Sequence, residues 1–474
     1  MTSLRARRIG CGTVRRAMAP RLLRLAPLAC IALALAAPSA ASAQSLSDPV
    51  DQWLPSSDGA SWTYLWDSAF SPQPTKEKYT LELREGQAFR LAWTTEDLDN
   101  PDGAVVAQGQ MDYRRSDAGL TNTNWASTPP PGQFPVLCPS ADNCANSLAG
   151  THYMLIWGNR SPVLLEPLLS GARWSSVGGS GNDVASSSRY LGQTRIKVAA
   201  FPQGIGVAKV ETQITQAGAL GDPYGTGLRT VYWARGVGPV RIEFRHAGGE
   251  LSTSELVATN LAARALPPDD NYLPLNRGKK FRLRWSNSKY MKKPSTQEFE
   301  VAEVVNNSAR VDVKNVSGPI RVRGSYAFAT RISGITNLSG ATRASSLVHF
   351  PKLGPKGAAS ADRRRFTTPL DLMLFGFGPV LPTYPKQGDE WKGVKGTLDY
   401  SSFGVTGTSE VIGFERVQTP LGRLRALVVR SKLTQSGFPF GSGTRTSWFA
   451  PGRGLVKLVF RHRDGSVSTV YRVK

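Results

Sequence analysis

The chain has 474 residues, of which 40% are hydrophobic and 20% are charged, with a formal net charge of +23. This composition excludes a low-complexity or disordered chain and leaves room for two or three globular domains. Beyond the leader, no apolar run reaches the ~20 residues that a membrane-spanning helix needs. We therefore expect a mature chain with a sizeable core that is soluble outside the cytoplasm.

Residues 1–43 have the pattern of a secretory signal peptide. Seven arginines and no acids accompany an apolar run, which ends at the small-residue site Ala41-Ser42-Ala43. Such a segment is removed on export, so we expect cleavage near Ala43 and a secreted or periplasmic protein. Met18 would start a more typical signal, so translation from Met1 or from Met18 stays open.

The cysteines fit an exported chain. Cys11 and Cys30 leave with the leader, and Cys138 and Cys144 remain in the stretch CPSADNC. Outside the cytosol, a close isolated pair predicts a disulfide, which would contribute on the order of 2 kcal/mol. A metal site would have to recruit His152 and further ligands. None cluster nearby, so we predict neither a metal nor another cofactor.

Charge divides the mature chain into unequal parts. Residues 44–265 hold 17 Lys+Arg against 21 Asp+Glu, a net charge of −4, whereas residues 266–474 hold 34 against 14, a net charge of +20. Such asymmetry bears on binding partners rather than on the fold.

A sequence segment near the end of residues 44–265 is repeated near the end of residues 266–474. Arg229–His246 and Arg445–His462 match at 9 of 18 positions. Other anchors recur in the same order, which predicts two tandem copies of one unit of roughly 200 residues, at 44–265 and 266–474. These anchors pair Trp53–Trp62 with Tyr272–Phe281, Gly171–Trp174 with Gly388–Trp391, and Ile214–Gly218 with Leu433–Gly437.

Hydrophobic periodicity predicts an all-β fold. In the repeated phrase, Val240, Ile242 and Phe244 alternate with charged residues, the pattern of a strand with one buried face. Glycine-containing turns separate such runs, which predicts antiparallel meanders. Long helical periodicity is scarce, and Leu370–Phe377 is the best short helix candidate. Each unit is therefore predicted as a sandwich or as a curved sheet closing partly into a barrel.

Four short motifs follow one another in the second unit: L-P-L-x-x-G, G-x-x-W, T-P-x-G and a closing run of aromatic, glycine and basic residues. This order resembles the TapB-like group of exported bacterial domains of unknown function. The first unit departs more, at Ser56 and Pro239. The resemblance implies an envelope-associated β domain and brings no catalytic residues. The motifs occupy Leu273–Gly278, Gly388–Trp391, Thr419–Gly422 and Phe449–Lys457.

Catalytic signatures are weak. His246 and His462 occupy equivalent strand ends, where a core-capping histidine is favoured over a base or a ligand. Glu96–Asp99 and Asp389–Glu390 could supply glycosidase carboxylates but are typical loop acids. Nucleophile-elbow, phosphate-loop and dinucleotide motifs are missing. We predict a non-enzyme, with a hydrolase lacking recognisable motifs as the minor alternative.

Cations concentrate in three segments of the second unit. If Phe281, Leu283 and Trp285 face the core, the other face of their strand is a basic stripe suited to phosphate or carboxylate polymers. The alternative is a solvated basic surface that pairs with the more acidic first unit. The candidate anion-binding residues are Lys280, Arg282, Arg284, Lys292, Lys293, Arg363, Arg364 and Arg365.

These observations predict a secreted, non-enzymatic binding or structural module at the cell envelope. Its second unit would bind an anionic polymer or lipid headgroups, and nothing in the chain indicates nucleic acid as the partner. A carrier of a hydrophobic ligand such as a lipid is the second hypothesis, since 11 Trp and 18 Phe allow an apolar cavity.

Overall fold

The computed structural model is built almost wholly from antiparallel strands. Within the described residues it has two sheets, one short α-helix and one 3-10 turn at Pro439–Gly441. The described residues are 53–55, 57–67, 74–98, 105–116, 119–128, 162–177, 184–216, 226–268, 270–331, 334–351, 368–374, 379–392 and 405–474.

The first sheet has 12 strands in the order β6-β5-β4-β3-β2-β1-β12-β11-β10-β9-β8-β7. Its strands are β1 (Ser61–Asp67), β2 (Thr75–Leu83), β3 (Ala88–Asp97), β4 (Val105–Ser116), β5 (Gly119–Thr128), β6 (Pro162–Leu164), β7 (Arg173–Val177), β8 (Val184–Val198), β9 (Phe201–Gln216), β10 (Gly227–Ala234), β11 (Gly238–His246) and β12 (Leu251–Thr259).

The second sheet has 11 strands in the order β17-β16-β15-β14-β13-β23-β22-β21-β20-β19-β18. Its strands are β13 (Lys280–Asn287), β14 (Met291–Val305), β15 (Ser308–Ser317), β16 (Ile320–Arg331), β17 (Gly334–Ser346), β18 (Glu390–Lys392), β19 (Val405–Thr419), β20 (Gly422–Gln435), β21 (Gly443–Ala450), β22 (Gly454–His462) and β23 (Val467–Arg472).

The two sheets share one topology. In each, the first strand pairs with the last, β1 with β12 and β13 with β23, and meanders extend to both sides. Strand β6 pairs with β5 in the first sheet, and an isolated bridge from Leu381 to Ile335 of β17 takes its place in the second. Each sheet is thus formed by strands from one continuous part of the chain.

Each sheet curls until its two edges meet. Trp174 of β7 donates its indole N–H to the carbonyl of Pro162 in β6, at 2.9 Å, although these are opposite edge strands. Trp391 of β18 donates in the same way to Pro379, at 3.0 Å, beside the bridge to β17. The all-β prediction is confirmed, and the single curled sheet corresponds to the partly closed barrel rather than to the sandwich.

Strand alternation fills the inside of each sheet with apolar side chains. Val240, Ile242 and Phe244 are fully buried in the first core, together with residues such as Trp233. Full burial of such a side chain is worth roughly 1.5–3 kcal/mol. The second core is separate and contains Leu283, Trp285, Phe299 and Phe460.

The predicted glycine turn joins β10 to β11. Gly236 and Gly238 have φ values of +79° and +107°, a region that favours glycine. A Cβ at Gly238 would lie 2.9 Å from Leu54. The corresponding turn between β21 and β22 uses Gly452 and Gly454, at +65° and +80°. The conserved spacing of these glycines is therefore explained by folding.

The short helix α1 (Pro369–Leu374) is buried at every residue in the second core. Its start is fixed reciprocally, because the amide of Thr368 donates to the Asp371 carboxylate at 2.7 Å and the amide of Asp371 donates to the Thr368 hydroxyl at 3.1 Å. The predicted helix candidate is therefore helical up to Leu374, and its residues 375–377 lie outside the described residues. No helix in the described part of the chain combines the length and apolarity required to cross a membrane.

Candidate anion-binding face

Strand β13 has the two faces that its alternation predicts. Leu283 and Trp285 are buried, whereas Lys280 and Arg284 are exposed and Arg282 is half-buried. The basic side chains therefore lie on the outer face of the second sheet. This orientation places them where a large external ligand can reach them.

Acidic residues across the strand pair neutralise part of this stripe. Lys280 lies 3.2 Å from the Glu300 carboxylate, and Arg282 lies 2.7 Å from that of Glu298. Lys314 of β15 contacts Glu298 from the other side, at 3.0 Å. The exposed pair of Lys280 and Glu300 contributes little stability, typically below about 1 kcal/mol, whereas Glu298 is largely buried between its two cations. All three pairs reduce the positive potential of the stripe.

Glu298 stays ionised because cations surround it. Hydrogen bonds from Lys314 and Arg282 hold the pKa of its carboxyl at about 2, against 4.5 for an ordinary glutamate. The acid therefore competes with any external anion for these two cations throughout the physiological range.

The other predicted residues lie on β13, on β14 or outside the described residues. Arg284 is exposed and faces Thr296 and Tyr471 across the ladder, with no acid directly opposite. Lys292 and Lys293 are exposed at the start of β14. Arg363, Arg364 and Arg365 lie outside the described residues, as do Cys138, Cys144 and the leader at residues 1–43.

A second group of cations lies on β15, β16 and β17. Lys314 pairs in register with Arg323, and Arg323 pairs with Arg343, so three cations stand side by side on adjacent strands. Arg321 lies two residues before Arg323 and therefore on the same face. All four are exposed, and within the described residues no acid contacts any of the three arginines.

This arrangement costs stability unless an anion is bound. Neighbouring strands are about 4.8 Å apart, and like charges directly opposite each other repel. A surface groove of about 650 Å³ lies over the cluster. Guanidinium groups bind carboxylate and phosphate through two parallel hydrogen bonds, so the groove is suited to such anions. It is lined by Lys314, Asn315, Arg321, Val322, Arg323, Arg343 and Ser345.

Sequence reasoning missed this cluster for a physical reason. The spacing of Arg321 and Arg323 shows that they share a face of one strand. Their meeting with Arg343 depends on the register of β16 against β17, which the sequence alone does not specify.

The two equivalent histidines lie inside the sheets. His246 and His462 are each 5% exposed, and their Nε2 atoms lie 2.8 and 2.7 Å from the hydroxyls of Ser252 and Ser468. The Nδ1 of His462 contacts the carbonyl of Phe440, so Nδ1 carries the proton and Nε2 accepts from Ser468. Burial lowers the pKa of His462 to about 4. Because Ser468 is fully buried, this pair packs the end of the core, as the strand-end interpretation predicts.

Each sheet also buries one arginine, the first residue of the repeated phrase. Arg445 donates to the carbonyls of Leu372 and Met373 at the end of α1, at 2.8 and 2.6 Å, and to the hydroxyl of Ser431 at 3.0 Å. Arg229 donates to the hydroxyl of Thr212, at 3.2 Å. Burial lowers the pKa of Arg445 to about 9 and that of Arg229 to about 10. These arginines organise the interiors and are not accessible to a ligand.

Within the described residues, no group of three or more His, Cys, Asp or Glu could hold a metal ion. A small apolar cavity lies near Leu273, Phe281 and Met373 in the second sheet, and its volume is about 20 Å³. It has room for about one water molecule, so it does not support the carrier hypothesis.

No protein-family model matches the chain, and no curated protein matches it. Membership of the TapB-like group therefore stays a resemblance carried by the short motifs. The comparison with solved structures finds only distant likenesses of fold.

Two similar structures are a candidate exported protein with a YmcC-like fold from Bacteroides fragilis and a candidate lipoprotein from Parabacteroides distasonis. Both are 14% identical with a TM-score of 0.27, and they cover 44% and 45% of this chain and 97% and 100% of their own. MucB from Pseudomonas aeruginosa, in complex with MucA, is 10% identical with a TM-score of 0.20 and covers 65% of this chain and 92% of its own. Similarity at this level does not indicate what the present chain binds.

Proposed function

We propose that this protein is an extracytoplasmic, non-enzymatic binding module of the cell envelope, whose second sheet binds an anionic polymer or surface. One observation carries the proposal: Lys314, Arg323 and Arg343 stand side by side on the outer face, and no acid contacts the two arginines among the described residues. A bound polyanion would offset their mutual repulsion. The cations on β13 extend the same face.

The location rests on the sequence of residues 1–43, which has the pattern of a cleaved export signal. The duplication of one unit, at 44–265 and 266–474, rests on the repeated phrases. It is further supported by the shared strand order of the two sheets. Duplication explains why the interiors of the two sheets are similar. Later divergence explains why the exterior of the second sheet alone is strongly basic.

The test is binding of the protein to vesicles containing phosphatidylglycerol and to immobilised poly-L-glutamate over a salt series. We expect retention on at least one of these matrices to fall as salt rises, because exposed charges are screened. The triple variant Arg321→Ser, Arg323→Ser, Arg343→Ser should lose most of the retention.

The matched control is the triple variant Arg416→Ser, Arg423→Ser, Lys432→Ser, which removes the same charge from exposed positions on β19 and β20. It should retain near-normal binding. Equal loss in both triple variants would show a diffuse charge effect, and retention that ignores salt would contradict the electrostatic basis. Either result would overturn the proposal.

A further inference from the structure

The outer face of the second sheet also carries aromatic side chains in register with the β13 cations. Arg284 of β13 pairs with Tyr471 of β23, Tyr471 pairs with Lys457 of β22, and Lys457 pairs with Trp448 of β21. Cations and aromatic rings therefore alternate across four adjacent strands.

These side chains contact one another on the solvent side. The ammonium group of Lys457 lies 4.7 Å from the ring centre of Trp448 and 5.9 Å from that of Tyr471. Their chain neighbours Phe449, Leu458 and Val470 are buried in the core, so the row lies on the other face of the sheet. The side chains of Trp448, Lys457 and Tyr471 are half-buried, and Trp448 also packs against the small buried cluster that contains Val456. Trp448 also donates its indole N–H to the Glu415 carboxylate. This hydrogen bond orients the indole ring of Trp448.

The aromatic row continues the cationic row. Arg282 lies two residues from Arg284 on the same face, and it is in register through Glu298 and Lys314 with Arg323. The combined outer track crosses eight strands, from β17 through β13 to β21. At about 4.8 Å per strand it is roughly 35 Å long. The outer track comprises Arg343, Arg323, Lys314, Arg282, Arg284, Tyr471, Lys457 and Trp448, and its position on β14 is occupied by Glu298.

The first sheet has only a shorter row of this kind, in which Lys209, Tyr232 and Arg241 are paired across β9, β10 and β11 and the ammonium group of Lys209 lies 5.5 Å from the ring centre of Tyr232. Arg241 of β11 lies 3.4 Å from Glu243 and 3.9 Å from Glu255, and the hydroxyl of Tyr232 donates to Glu243 at 3.4 Å. Acids thus neutralise the row that in the second sheet contains Lys457 and Tyr471. The outer track belongs to the second sheet alone.

We infer that the outer track binds a linear carboxylated polysaccharide. This inference rests on the proposed function and narrows its ligand. The guanidinium groups would hold carboxylates through paired hydrogen bonds. Trp448 and Tyr471 would pack against the apolar faces of sugar rings, as amphipathic aromatic rings do at binding surfaces.

The shape of the site favours a flexible chain over other polyanions. The outside of a curled sheet is convex, so a flat membrane touches only part of the outer track, whereas a chain can follow it. A single small anion would use only one position. Single-stranded nucleic acid also combines backbone contacts with stacking, and it is the competing ligand in the test.

The experiment measures binding of polygalacturonate to the protein by isothermal titration, against galacturonate monomer, neutral dextran, oligo-dT and phosphatidylglycerol vesicles. We expect polygalacturonate to bind at least tenfold more tightly than each of the others, at equal charge concentration for the anionic probes. The double variant Trp448→Leu, Tyr471→Leu should bind polygalacturonate at least fivefold more weakly with an unchanged salt dependence. Tyr232→Leu is the matched control in the first sheet and should change nothing.

The variants and probes distinguish the proposed anion-binding face from the polysaccharide inference. If the arginine triple variant weakens polygalacturonate binding but the aromatic double variant does not, the anionic face stands and the polysaccharide inference fails. Tighter binding of oligo-dT or of vesicles would likewise overturn the inference. If none of the anionic probes binds, both proposals fail. Thermal unfolding of each variant confirms that it is folded before its affinity is interpreted.

Discussion

The two sheets agree inside and differ outside. Both bury an arginine and a histidine at corresponding positions, Arg229 with His246 and Arg445 with His462. On the outer face of the first sheet, Arg90 contacts Asp112 through two hydrogen bonds of 2.7 and 3.1 Å. On the outer face of the second sheet, Arg323 instead stands in register with two cations, Lys314 and Arg343. Folding constrains the interior of both sheets, so divergence at the surface is where a binding function can be sought.

Rows of charged residues on the outer faces show this difference between the two sheets. In the first sheet, Glu82, Arg90, Asp112 and Asn124 follow one another across β2 to β5. In the second, Glu298, Lys314, Arg323 and Arg343 follow one another across β14 to β17. This row has a different register, because Glu298 lies opposite Arg282, whereas Thr63, the counterpart of Arg282, lies opposite Lys78. Hydrogen bonds from Arg90 lower the pKa of Asp112, which shows how closely the first row is paired. The second part of the chain has a net charge of +20 against −4 for the first, because it has fewer acids as well as more cations.

The largest expected effect is a loss of stability when the buried arginine that both sheets share is replaced. Arg445→Met would remove donors to two buried carbonyls and one buried hydroxyl, so we expect a loss of about 3 kcal/mol in the free energy of unfolding. Arg229→Met should destabilise the first sheet in the same direction. Urea denaturation measures both, with the exposed Arg416→Met as the control. A loss below about 1 kcal/mol for Arg445→Met would show that the buried guanidinium is not structural.

Low pH should lower the stability of the second sheet, because His462 is buried in its core. Its pKa is about 4 in the folded protein, against 6.5 for an ordinary histidine, so the unfolded chain takes up the proton first. The corresponding stability is fully present above pH 6.5 and is lost as the pH falls to 4, by on the order of 3 kcal/mol. Denaturation at stepped pH measures it, and His462→Gln should flatten this part of the profile. An unchanged profile in the variant would contradict the assignment.

Copying the first row onto the second should abolish much of the binding. The double variant Arg323→Asp, Arg343→Asn reproduces the residue types of Asp112 and Asn124. We expect at least a tenfold loss of polygalacturonate affinity and a Tm that is equal or higher, because cation repulsion is removed. The matched control is Arg416→Asp, Arg423→Asn. A fall in Tm with unchanged affinity would mean that the cation row is a structural feature.

The smallest effect should come from Glu298, the acid that lies within the cation row of the second sheet. Glu298→Gln would release Arg282 and Lys314 for an external anion, so we expect polymer affinity to rise about two- to fivefold. Since the pKa of Glu298 is about 2, its ion pairs persist in the native protein until the pH approaches that value. The control is Glu303→Gln, which removes an exposed acid paired with Arg310. Weaker binding by Glu298→Gln would contradict its role as a competitor.

Much of the fold could be predicted from the sequence. Period-two alternation around Val240 and Phe244 fixed the strands, and paired glycines marked the turn at Gly236 and Gly238. Whether the units were sandwiches or curled sheets depended on contacts between distant edges, such as Trp174 with Pro162. Local patterns do not contain such contacts.

The candidate site was only partly predictable. The alternation of β13 correctly placed Arg282 and Arg284 outward, but it could not show that Glu298 and Glu300 lie opposite the stripe. The strongest cation cluster combines residues from three strands whose register is set by side-chain packing over the whole sheet. Its members are therefore visible only once the strands are paired.

The most direct measurement is arginine-specific labelling with phenylglyoxal, read by mass spectrometry with and without polygalacturonate. The account predicts that the polymer protects Arg284, Arg321, Arg323 and Arg343. The exposed Arg416 and Arg423 of the same sheet should label equally in both conditions and serve as the internal reference. Equal labelling of the predicted arginines with and without bound polymer would contradict the claim that this face is the binding site.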